Sequence, residues 1–68
     1  MKTKEEVLNQ FYITASDVQI LIPGLNIIKC REFIDEIRQE MINRNLFVPP
    51  GTKPKRALTK IALEKLGI

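Results

Sequence analysis

The chain has 68 residues, which makes one small domain, residues 1–68, at a size where a single core is only marginally sufficient. With 44% hydrophobic and 28% charged residues it has the composition of a folded globular chain, which excludes disorder as the default. It has no histidine, so imidazole acid–base chemistry is missing, and its single cysteine excludes an internal disulfide or a cysteine-rich zinc site.

A lone thiol suits a reducing cytoplasm. The start "MKTKEEVLNQ" is polar with no apolar stretch of a leader behind it, and apolar runs such as Ile20 to Ile22 stop at three residues, so no membrane span is expected. These observations predict a cytoplasmic domain that is not an enzyme and uses no cofactor or metal. The net charge of +3 is unevenly spread. Residues 1–28 sum to −1 and residues 29–45 to zero. Residues 46–68 sum to +4, with Lys53, Lys55, Arg56, Lys60 and Lys65 against Glu64. The asymmetry points to a polyanion partner or to a solvated basic tail.

In chain order, "TKEE" has the spacing of a capping box, Thr3 as cap and Glu6 three residues on, and predicts a short helix through Gln10 within an N-terminal extension of residues 1–12. Phe11, Tyr12 and Ile13 read as a short extended piece, with Tyr12 packing rather than stacking on a base. Thr14 stands three residues before Asp17, with Ser16 as a second candidate cap, and Val18, Leu21 and Ile22 follow at helical spacing. Pro23-Gly24 then ends a helix of about two turns.

The segment "LNIIKCREFIDEIRQEMINRN" is the clearest element. Asn26 is a good cap, and Cys30, Phe33, Ile34, Ile37 and Met41, with Ile42 as a further candidate, recur at steps of three and four. This predicts an amphipathic helix from about Ile27 to about Asn43, ended by Asn45 or alternatively Asn43 in the left-handed region. Cys30 lies on its apolar face and reads as a packed residue, not a reactive thiol. Arg31, Glu32, Asp35, Arg38 and Gln39 form the outer face, with Asp35–Gln39 and Glu40–Arg44 as pairs four residues apart. Glu32, Asp35, Glu36 and Glu40 lie on that solvated side and do not suggest catalysis.

"FVPPGTKPKRALT" holds three of the four prolines. Prolines are confined to edge strands and hairpin tips, so Leu46 to Val48 are expected to pair with Arg56 to Leu58 in an irregular hairpin. Thr59 is then the expected cap of a closing helix. Ile61, Ala62, Leu63 and Leu66 return to the core and Gly67 ends it. The predicted core is Val18, Leu21, Phe33, Ile34, Ile37, Leu63 and Leu66.

Two helices separated by "PGLN", then a basic hairpin and a small helix, predict a mainly α fold with a small β-hairpin, a winged helix-turn-helix. In that arrangement the 27–43 helix enters the major groove with its first turns leading. Asn26, Ile28, Lys29, Arg31 and Glu32 avoid the core there, and Lys29 and Arg31 are the expected groove contacts, supported by Ile28 and Asn26. The basic wing, residues 47–58, would set Lys53, Lys55 and Arg56 against the backbone or in the minor groove. Taken singly, each of these cations also reads as an ordinary solvated side chain.

"ITASDVQILIPGLNIIKCREFIDEIRQEM" resembles the opening of small excisionase-like helix-turn-helix DNA-binding proteins of phages and integrative elements in low-GC Gram-positive bacteria. Thr14 and Asp17 match the start of their first helix, Gly24 and Asn26 the turn and cap, and Cys30 stands where alanine is usual. "RALTKIALEKLGI" resembles the segment after their wing. The likeness covers roughly Ile13 to Ile68 and departs at Pro23 and in the proline-rich wing. It implies an accessory factor on double-stranded DNA. Such factors bend DNA, direct an integrase or recombinase toward excision, or repress a nearby promoter. A domain this small is expected to act as neighbouring copies or a dimer, with Val7, Leu8 and Phe11 as the candidate self-contact or as closure of the core. The alternative is a phage-type adaptor or inhibitor that docks a protein on the same helix.

Overall fold

The structure, a computed structural model, describes residues 2–50 and 54–67. Among these the chain is a mainly helical small domain of four helices and a two-stranded antiparallel sheet, in the order α1 Lys4–Leu8, β1 Tyr12–Ile13, α2 Ala15–Leu21, α3 Ile27–Asn43, β2 Ala57–Leu58 and α4 Thr59–Leu66.

Short helices of this kind form only where their ends are satisfied. α1 and α2 each carry a complete capping box, Thr3 with Glu6 and Thr14 with Asp17. α1 stops at Leu8, two residues earlier than predicted. Gln10 instead turns its amide to the Tyr12 carbonyl and the Asp17 carboxylate. After α2 the Leu25 N–H donates to the Ile22 carbonyl across Pro23 and Gly24, with Gly24 at φ 91°. Proline then glycine at positive φ is the type II turn pattern, and it reverses the chain into α3. The Asn26 side chain caps α3 by accepting from the Ile28 N–H at 2.7 Å. At the far end Leu46 N–H reaches the Met41 carbonyl and Asn45 N–H the Ile42 carbonyl, with Asn45 at φ 58°. This is a Schellman closure with Asn45 as its left-handed residue.

The core lies between α3 and everything else. Val7, Ile13, Val18, Cys30, Ile34, Ile37, Met41, Ala57, Ile61 and Ala62 are buried. Leu21 and Phe33 are half-buried against it, whereas Ile42, the further candidate of the α3 stripe, is exposed one position past Met41. Leu63 and Leu66 were expected at its centre but are only half-buried. Ile61 and Ala62 take the inward face of α4 instead.

The expected hairpin does not form. Leu46 to Val48 are not a strand, and β2 pairs with β1, Tyr12 opposite Leu58 and Ile13 opposite Ala57. Pro49 and Pro50 have no N–H to donate, so a ladder through them would lack donors at two consecutive residues. The Ile13–Ala57 pair, by contrast, is fully buried and repays the pairing with apolar contact. The Thr59 N–H extends this ladder to the Phe11 carbonyl. That also corrects the reading of Thr59 as a cap. It is the first residue of α4, its hydroxyl is buried without a hydrogen-bond partner among the described residues, and Leu58 before it makes no side-chain cap. Gly67 ends α4 at φ 78°, as expected. No helix among the described residues is long and apolar enough to cross a membrane.

Candidate nucleic-acid interface

Successive side chains on a helix are about 100° apart. Arg31, Asp35 and Arg38 therefore share one flank of α3, while Lys29, Phe33 and Glu36 share the other. The structure puts a groove on each flank, and the two differ in charge.

The first groove, about 600 Å³, runs between the start of α2, the first half of α3 and the chain after residue 53. Ser16, Ile27, Arg31, Asp35, Pro54 and Lys55 line it. Arg31 from the helix and Lys55 from the basic segment thus face one space. Lys55 Nζ lies 3.3 Å from Asp35 Oδ1, with both side chains more than half exposed. An ion pair that open is worth about 0–1 kcal/mol, so it orients Lys55 without withholding it from a phosphate. Arg56 is exposed next to it, and neither its side chain nor that of Arg31 has an ionic partner among the described residues.

The second groove, about 540 Å³, lies toward the turn after α2, with Ile22, Leu25 and Phe33 as its apolar part and Lys29, Glu32, Glu36 and Asp35, which borders both grooves, around it. Lys29 Nζ is 3.6 Å from Glu32 Oε2. Lys29 and Arg31 were expected to act together, but they project to opposite flanks and line different grooves. Lys29 shares its groove with three carboxylates and no other cation, whereas Arg31 shares its groove with Asp35 and a second cation, Lys55.

The remaining expected site residues divide as follows. Ile28 is 61% exposed at the start of α3, available for apolar contact. Asn26 is exposed, but its side-chain oxygen is held by the Ile28 N–H, so only its NH₂ remains free to donate. Lys53 lies outside the described residues. In the N-terminal segment Val7 is fully buried and closes the core, whereas Leu8 and Phe11 are exposed, Phe11 resting edge-on against Tyr12 at 4.9 Å.

Two residues that matter were read as ordinary outer-face side chains. Asp35 meets Lys55 and not Gln39, whose amide goes to Asn43. Arg38 donates to the carbonyls of Pro49 and Arg56. Both lie on the Arg31 flank, but nothing in their local spacing announces a partner about twenty residues away. Burial pushes the Cys30 thiol up, away from the reactive thiolate. Among the described residues no group of acidic, cysteine or histidine side chains is placed to hold a metal. No protein-family model, curated protein or solved structure matches the chain.

Proposed function

We propose that this chain is a duplex DNA-binding domain of winged helix-turn-helix type, with α2, the Pro23-Gly24 turn and α3 as the helix-turn-helix and the basic segment before β2 as the wing. The observation that carries the reading is the shared groove. A helix cation, Arg31, and a wing cation, Lys55, face the same space, and Arg56, the next residue in the chain, is exposed. On this reading the first turn of α3 leads into the major groove on its Arg31 and Ile28 side. Lys55 and Arg56 lie on the adjoining phosphates. The wing is a single basic segment anchored by β2 and α3, not a self-paired hairpin. The likeness to excisionase-like factors supports a role as a recombination directionality factor or a small regulator of a mobile element, with an integrase or recombinase as the protein partner.

The acidic flank of α3 favours one competing reading, an adaptor whose partner docks over Ile22, Leu25 and Phe33 between Glu32 and Glu36. One experiment separates the two. Fluorescence anisotropy with a labelled random duplex, at about 50 and about 200 mM salt, should show binding that weakens about a hundredfold or more between the two conditions. The double variant Lys55→Gln, Arg56→Gln should bind more weakly on every duplex, with a shallower salt dependence. A folded wild-type protein that fails to bind at the lower salt would remove the DNA reading in favour of the adaptor.

A further inference from the structure

Arg38 lies two turns after Arg31 on the same flank of α3, half-buried beneath the basic segment. Its guanidinium donates to two backbone carbonyls, Nη1 to that of Arg56 at 2.8 Å and Nη2 to that of Pro49 at 3.0 Å. These carbonyls stand on opposite sides of residues 51–53, and neither belongs to a helix or a strand. Pro49 and Pro50 have no N–H, so the backbone of these two residues can be tied down only through its carbonyls. The chain on either side is anchored by packing, Val48 against the core and Ala57 within it. Between those anchors the polar ties to α3 among the described residues are the two Arg38 bonds and the Asp35–Lys55 pair.

We infer that Arg38 is a positioning residue for the DNA interface: it acts through Lys55 and Arg56 by clamping the Pro49 and Arg56 carbonyls onto α3, which holds those cations beside Arg31. This rests on the reading of the chain as a DNA-binding domain. A planar fork of N–H donors is what the task needs, because two separated carbonyls are met by one rigid group. A lysine carries the same charge but is a single flexible point, and it does not reproduce the bridge. Holding the cations in place before DNA arrives lowers the ordering cost of binding.

The test is Arg38→Lys, which leaves net charge and buried apolar residues unchanged, with folding checked by a thermal melt. Two readouts are taken. The first, without DNA, is the rate of trypsin cleavage after Lys55 or Arg56, followed by mass spectrometry on the whole folded chain. The second is the salt dependence of anisotropy with the random duplex. The clamp predicts faster cleavage in Arg38→Lys and a salt slope shallower by up to about two units, the share of two phosphates. It also predicts that Arg38→Lys adds little to the Lys55→Gln, Arg56→Gln variant, because both changes remove the same contacts. Unchanged cleavage overturns the clamp. Faster cleavage with an unchanged slope overturns its role in binding. If Arg38 touched phosphate directly, Arg38→Lys would bind like wild type while Arg38→Gln lost about one unit of slope, and the inference would again fall. Wild-type protein that binds no duplex would take down the DNA reading and this role together, and the cleavage rates would still tell whether Arg38 holds the segment.

Discussion

Burial raises the cost of the Asp17 charge, and three donors answer it. The Thr14 N–H and the Gln10 amide reach Oδ2 at 3.0 Å each, and Lys2 Nζ reaches Oδ1 at 3.2 Å. Together they more than offset the desolvation and hold the carboxyl below its ordinary range. A depressed folded-state value stabilises above the unfolded value of about 3.9, and that stability is lost as the pH falls through the folded value. Asp17→Asn should therefore melt below wild type at pH 7, and the gap should close as the pH falls below about 4. A gap that stays constant down to pH 3 would show that the charge contributes nothing. Thr59 presents the opposite case, a buried hydroxyl with no partner among the described residues. Thr59→Val removes that unmet group at nearly constant volume and should stabilise by about 1 kcal/mol. In a domain of this size that raises the melting temperature by about 4–8 °C. A lower melting temperature would mean that the hydroxyl is served by a buried water.

At the scale of elements, α3 was legible from end to end. Cys30, Ile34, Ile37 and Met41 are all buried, and the helix runs over the predicted Ile27 to Asn43. Caps and apolar spacing are local properties, so they survive folding unchanged. The choice between Asn45 and Asn43 as terminator falls to Asn45, at φ 58°. An alanine there meets the left-handed region without the short polar side chain that tolerates it, so Asn45→Ala should cost about 1–2 kcal/mol in chemical unfolding. Asn45→Gly should cost nothing or stabilise. Equal stability of the alanine and glycine variants would contradict the Schellman ending. Past that point legibility drops, because the start of α4 is set by strand pairing. Thr59 has the composition of a cap, yet Leu58 opposite Tyr12 fixes where the helix begins, and the Thr59 N–H is already given to Phe11.

At the scale of the whole molecule, the starting caps of α1, α2 and α3, the Pro23-Gly24 turn and the concentration of cations in residues 46–68 were determined by the sequence alone, because each depends on residues within a turn or two of one another. Of the candidate site, the residue types were legible and their grouping was not. Lys29 and Arg31 are near neighbours in sequence, yet they face different grooves, while Arg31 and Lys55, far apart in sequence, share one. The pairing of β2 with Tyr12–Ile13 and the reach of Arg38 and Asp35 to the basic segment emerged in the folded chain alone. So did the link that Arg44, just past the end of α3, makes between Glu40 on α3 and Glu64 on α4. The physical reason is the same in each case. A strand pair, a guanidinium clamp or a shared groove is chosen by which distant surfaces the buried core brings together, and adjacent side chains carry no record of that choice.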